Sequence, residues 1–194
     1  MESEQRRVIF LDVDGVLRGS SCDIESASFV KEDPDLFCVD KAVTATLPPF
    51  SRACLQRLKD LVAASSAKIV VCSSWRTNAT LLSSLIRCLA QFGLPEGSVV
   101  GETPILGGSR GAEVAAWLRG DAVAAATPLS SYVVLDDDNK SSYEKERIAP
   151  KRYVQPTAAL GLSDADAEKA LGILLHQERR WVAPKPPGQF DSVV

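Results

Sequence analysis

Val8-Ile9-Phe10-Leu11-Asp12-Val13-Asp14-Gly15 is the stretch on which the fold turns. Its first four residues are uninterrupted apolar strand formers, the pattern of a strand buried on both faces, as in a parallel sheet. Asp12 and Asp14 end the run, and Gly15 breaks it. Residues i and i+2 of a strand project to the same side, so two carboxylates emerge together from an apolar segment. They repel unless a cation lies between them or one of them holds a proton. The plain alternative is an Asp-rich turn that only ends a strand.

The same pattern recurs twice along the chain. Lys68-Ile69-Val70-Val71-Cys72 reads as a second buried strand and runs into Ser73-Ser74-Trp75-Arg76. Tyr132-Val133-Val134-Leu135 reads as a third and runs into Asp136-Asp137-Asp138. Tyr153-Val154 is a candidate fourth. Between the strands, Leu55, Leu58, Leu61 and Val62 follow helical spacing in a segment from about 51 to 64. Asn78 is a candidate cap for a helix to about Phe92, with Gly93 as its stop. Residues 94–109 look loop-like, and Arg110 to Leu118 reads as a helix ended by Gly120. Ser163 with Asp166 resembles a capping box for a final helix to about Arg180. Strands alternating with helices imply an α/β fold: a three-layer, Rossmann-like parallel sheet with helices on both faces.

The expected organisation is one domain over residues 1–183 and a loosely held Pro- and Gly-rich tail over 184–194. Residues 18–49 are too long and irregular for an ordinary loop and are expected to form a small insertion or flap. A chain of 194 residues can bury a sizeable core. Its net charge of −3 argues against non-specific nucleic-acid binding through overall charge but leaves room for a local basic site. Five cysteines without a C-x-x-C pair read as reduced thiols in a cytosolic or nuclear protein, not as a thiolate metal site. The first residues carry no signal-peptide pattern, and the apolar run at 8–11 is too short to span a membrane.

In open parallel sheets, ligands bind beyond the carboxyl ends of the strands. The first three strands all end there in acids or hydroxyls. Asp136 can complete an oxygen-ligand site with Asp12 and Asp14, and hard carboxylate oxygens suit Mg2+. Ser73 or Ser74 offers a hydroxyl and a backbone N–H suited to a phosphate oxygen; either can equally be a cap or turn residue. Asp137 and Asp138 also fit a solvated acidic turn. Trp75 is a candidate for stacking a substrate base and Arg76 for holding a second phosphate, the alternatives being a core tryptophan and an arginine paired with an acid. Lys140, Lys145, Arg147, Lys151 and Arg152 form either a phosphate-binding rim or a solvated charged loop. His176, the one histidine, fits a helix surface.

Phe10-Leu11-Asp12-Val13-Asp14-Gly15-Val16-Leu17 resembles the first motif of the haloacid dehalogenase-like (HAD) hydrolases. Ile69 to Ser74 resembles their second motif, and Tyr132 to Asp138 their fourth. The basic third motif, usually Lys, has Arg110 as its best counterpart here, with Lys140 as the alternative. S-S-W-R after the second strand, R-G-x-E-V before the third and L-D-D-D at its end resemble one subgroup, the HAD domain of Swiss army knife RNA repair proteins. So does the Gly161-Leu162-Ser163 turn.

The resemblance implies a HAD-like core with little or no cap, since neither interval between motifs fits a large one. It implies Asp12 as a nucleophile that forms an aspartyl-phosphate, and Asp14 as the acid and then the base. It implies Mg2+ held by the Asp12 and Asp136 carboxylates and the Asp14 carbonyl, with Asp137 beside them. Ser73 or Ser74 and Arg110 would bind the phosphate; Trp75, Arg76 and Lys140 are candidates for contacts with the rest of the substrate. The expected function is thus a Mg2+-dependent phosphatase acting on a phosphorylated macromolecule, such as an RNA or DNA end or a phosphoprotein. Two alternatives are a small-metabolite or nucleotide phosphatase, and a phosphate-binding module without catalysis.

Overall fold

Five short parallel strands form one sheet at the centre of the protein. The structure, a computed structural model, describes residues 6–19, 36–37, 49–124, 127–138 and 141–176. In chain order the elements are β1 (Arg6–Leu11), β2 (Leu36–Phe37), β3 (Phe50–Ser51), α1 (Arg52–Ser65), β4 (Lys68–Val71) and α2 (Ala79–Gln91). They continue with β5 (Val99–Glu102), α3 (Arg110–Ala124), β6 (Leu129–Leu135), α4 (Ser141–Lys145), β7 (Tyr153–Val154) and α5 (Asp164–Leu175). The sheet order is β5-β4-β1-β6-β7, with every pairing parallel. β2 and β3 form a separate antiparallel pair, and of the expected insertion at 18–49 only residues 18–19, 36–37 and 49 are described. The tail at 184–194, Cys22, Cys38, Lys140 and Trp181 lie outside the described residues.

Strand residues alternate between two cores, as a period of two requires. Ile9, Leu11, Ile69, Val71, Val133 and Leu135 face α1, α2 and α5 through Leu55, Leu58, Leu85 and Leu174. Val8, Phe10, Val70, Cys72, Tyr132 and Val134 face α3 and α4 through Val114, Leu118 and Tyr143. Burial on both faces explains why residues 8–11, 69–71 and 132–135, the central stretches of β1, β4 and β6, are nearly all apolar. Cys54, Cys72 and Cys88 are free and buried. No helix among the described residues is long and apolar enough to cross a membrane.

Several boundaries differ from the sequence expectations. Residues 94–109 contain a strand, β5, at the sheet edge. Only Val99 of its four residues is half-buried, and Gly101 and Glu102 interrupt the apolar pattern, so pairing with β4 defines it more than its side chains do. The third helix passes through Gly120 to Ala124. Val114, Ala115 and Leu118 pack it into the core, and Asp121 accepts an ion-paired hydrogen bond from Arg6 in β1, so tertiary contacts outweigh the poor helix propensity of glycine. α5 stops at Leu175, short of Arg180. Its buried stripe ends at Leu174, and the positions three and four residues on are Gln177 and Glu178. The Ser163–Asp166 capping box is present in full.

Candidate active site

Register brings the candidate residues together. Leu11 lies beside Val71 on one flank and Leu135 on the other. Asp12, the Cys72-Ser73 pair and Asp136 therefore emerge side by side at one end of the sheet. Backbone hydrogen bonds continue past the strands: Asp12 N donates to Leu135 O at 3.0 Å, Cys72 N to Leu11 O at 2.9 Å and Asp136 N to Val154 O at 3.3 Å. The acids are thus set on the rigid rim of the sheet, not on a free loop. They open onto a cleft of about 660 Å3 whose lining includes Asp12, Asp14, Arg18, Ser74, Arg110 and Asp137.

Oxygens of Asp12, Asp136 and Asp137 lie within 4.8 Å of one another. Asp12 is 4% exposed and Asp136 is fully buried. Burial, reinforced by repulsion from Asp136, pushes the Asp12 carboxyl up from 3.8 to about 6, against the opposing pull of Arg110 and a hydrogen bond with Ser73. Burial and Asp136 also raise Asp137. Arg110, the first residue of α3, places one nitrogen, Nη1, 2.7 Å from both Asp12 Oδ2 and Asp136 Oδ2. Burial works against its charge, but the two carboxylates prevail and raise its pKa further. Its neighbour Gly111 lets α3 approach α4, because a Cβ there would lie 2.2 Å from Ser142 O.

Two tyrosines hold Asp136 from behind. Tyr143 donates its hydroxyl to Asp136 Oδ2, and Tyr153 donates to the Asp136 carbonyl at 2.8 Å. Burial raises both phenols well above their usual range, so each stays a donor. Asp138 N donates to Asp136 Oδ1 at 2.8 Å. One guanidinium faces three clustered carboxylates, so the described site carries an excess of negative charge. An all-oxygen donor set with that excess fits a hard divalent cation such as Mg2+.

Asp14 is not part of this cluster. Its Oδ1 accepts from Arg18 Nη1 at 2.5 Å and its Oδ2 from Trp75 Nε1 at 2.9 Å. Ser73 is buried and caps a 3-10 turn, Ser74–Thr77, by accepting from Trp75 N at 3.4 Å. Ser74 is exposed and lines the cleft.

Two substrate candidates are placed elsewhere. Trp75 is 5% exposed, with its ring 5.6 Å from that of Phe50, so it has no open face for a base. Arg76 is buried in an ion pair with Glu113 and donates to the carbonyls of Cys72, Ser73 and Thr103, so no donor set points at a second phosphate. The basic rim also shrinks, because Arg152 is buried against Tyr132 and donates to Ser131 Oγ. Lys145, Arg147 and Lys151 remain exposed. His176 is exposed at the end of α5.

Sequence reasoning missed Arg18, Glu113, Tyr143 and Tyr153. Arg18 left one signal, a basic residue following the apolar pair Val16-Leu17 and four positions after Asp14.

No curated protein and no solved structure matches the chain. The family model described as "HAD domain in Swiss Army Knife RNA repair proteins" matches residues 8–167, well over half of the 194. With the parallel sheet ordered around β1 and the acids converging at its carboxyl end, the chain belongs to that HAD family.

Proposed function

We propose that this HAD domain is a phosphoric monoester hydrolase. The observation that carries the reading is the seating of Asp12: a buried carboxylate on the sheet rim, between Arg110 and two further acids, at the floor of a cleft. Asp12 attacks phosphorus and forms an aspartyl-phosphate, while Asp14 gives a proton to the leaving oxygen. Water then attacks the phosphorus, Asp14 takes its proton, and Asp12 is released with inorganic phosphate. Ser74 at the cleft wall and Arg110 orient the phosphoryl oxygens, while Ser73 caps the turn that carries Ser74.

Asp12, Asp136 and Asp137, with the Asp14 carbonyl, are the groups that would hold Mg2+. When bound, the ion supplies countercharge to a carboxylate and a phosphate that otherwise repel. Arg110 supplies a fixed positive charge at the same carboxylates.

For the substrate class we favour a phosphorylated nucleic-acid end. What supports it is the family's association with RNA repair proteins and the exposed cations Lys145, Arg147 and Lys151 that follow the acidic strand end. The test is hydrolysis of an aryl phosphate with and without Mg2+, alongside Asp12→Asn. Mg2+-dependent turnover abolished by the substitution is the expected result, and equal turnover in the variant rejects the reading. A panel of phosphorylated oligonucleotides against free nucleotides tests the substrate class, and preference for nucleotides rejects the macromolecular part.

A further inference from the structure

We infer that Trp75 and Arg18 are positioning residues for Asp14, which they clamp from two sides so that its carboxyl group faces the cleft as a fixed proton carrier. This rests on the reading of Asp14 as the acid and base of the reaction. Asp14 is exposed, unlike the clustered Asp12, Asp136 and Asp137, with 56% of its side chain open to solvent. A carboxylate so exposed would ordinarily sample several rotamers. Here each oxygen accepts from a different buried donor, Arg18 on one and Trp75 on the other.

Both donors are themselves anchored. Arg18 is 6% exposed, and its Nε donates to Pro49 O at 3.0 Å. The Trp75 ring is packed against Phe50 on β3, and the Arg18 guanidinium lies 5.9 Å from its centroid. Trp75 also sits second in the turn that follows Ser73. The clamp therefore joins the loop after β1 to the loop after β4, so the proton carrier and the serines keep a fixed relation. Trp75 does this with a neutral N–H, which fixes the second oxygen without adding charge beside the phosphate.

In the first transfer, an Asp12 oxygen bonds to phosphorus and the bond from phosphorus to the leaving oxygen breaks. That oxygen keeps the electron pair and takes the Asp14 proton. In the second, water oxygen bonds to phosphorus and loses its proton to Asp14, and the bond to Asp12 breaks. A loosely oriented Asp14 slows the first transfer most when the leaving oxygen is strongly basic, because only then is the proton needed as the bond breaks.

Trp75→Phe keeps the ring and removes the N–H. The assay is kcat/KM in Mg2+ for two substrates, an alkyl phosphate with a basic leaving group and p-nitrophenyl phosphate. The expected result is a fall of roughly 10-fold for the alkyl ester and under about twofold for the aryl ester. Arg18→Gln is expected to fall in the same pattern and carries the test if Trp75→Phe lowers the melting temperature. Equal losses on both substrates, or none, overturn the positioning role. Asp14→Asn is run beside them and should show the same discrimination more strongly. If Asp14→Asn shows it and neither clamp variant does, the clamp alone is refuted. If Asp14→Asn does not discriminate, the proton-carrier reading falls and the clamp falls with it.

Discussion

Replacing Arg76 by Met should cost this protein more stability than an ordinary single substitution, because the side chain is the tie between three segments of the site. Its guanidinium donates to Thr103 O at 3.1 Å, Cys72 O at 2.9 Å and Ser73 O at 2.6 Å, and it pairs with Glu113. Both partners of the ion pair are buried, their side chains 5% and 8% exposed. Methionine fills much of the volume but leaves the Glu113 charge and three carbonyls without their donor. Breaking a buried pair from one side costs about 3–5 kcal/mol, and the orphaned carbonyls push this one toward the upper end. At roughly 2–4 °C per kcal/mol for a chain of this size, the melting temperature should fall by about 6–20 °C.

The same loss should reach catalysis. Arg76 links the end of β4 to α3, and α3 begins with the Arg110 that contacts Asp12 and Asp136. Thermal unfolding followed by far-UV circular dichroism measures the first effect, and aryl phosphate hydrolysis well below the melting point measures the second. Arg76→Met with Glu113→Met should recover part of the stability, since a pair of apolar residues leaves no buried charge. Recovery should be incomplete, because Glu113 also accepts from Leu106 N at 3.1 Å. A single variant melting within about 2 °C of the parent, or a double variant no better than the single, would show that the pair is not the tie described here.

Three further outcomes follow from the site. The Asp12 carboxyl is raised from 3.8 to about 6 by burial and then by Asp136, so the folded state holds this proton more tightly than the unfolded state does. Its contribution is fully present below the unfolded value and lost as pH rises through about 6, at most about 3 kcal/mol. Asp12→Asn should therefore melt higher than the parent in chelator above about pH 6, the gap closing toward acid; a constant gap in a pH series of melting curves refutes this. Tyr143→Phe removes the hydroxyl that bonds Asp136 and should weaken Mg2+ binding by roughly 10–100-fold in a calorimetric titration, unchanged affinity being the contrary result. Gly15 has φ +73°, and a Cβ there would lie 2.1 Å from Asp137 Cγ. Gly15→Ala should cost at least about 1 kcal/mol in melting and also weaken Mg2+ binding by displacing Asp137.

The existence of β1, β4 and β6 and the meeting of Asp12, Ser73 and Asp136 at their ends were legible because one physical fact encodes both, whereas the order of the strands was not. A strand buried on both faces must be apolar throughout, so the first polar residue marks where it leaves the core, and a parallel sheet puts those exits at one end. The same logic fails at β5. An edge strand with one covered flank needs no apolar run, and Val99–Glu102 supplies almost none. It leaves Trp75 and Arg76 open between substrate contact and a buried role, and the structure gives them the buried one. Whether such residues face the cleft or the core depends on how a four-residue turn folds, and on Phe50 and Glu113, which lie far away in sequence. Local pattern thus locates the groups that emerge from the sheet, while the groups that aim them belong to tertiary structure. Asp14 shows the division most clearly: its place is written in Asp12-Val13-Asp14, but its orientation depends on Arg18 and on a tryptophan sixty-one residues away. A carboxylate that is open to solvent and yet fixed requires buried donors on both sides, which is why Trp75 and Arg18 are withdrawn from the surface while the carboxylate they hold is not.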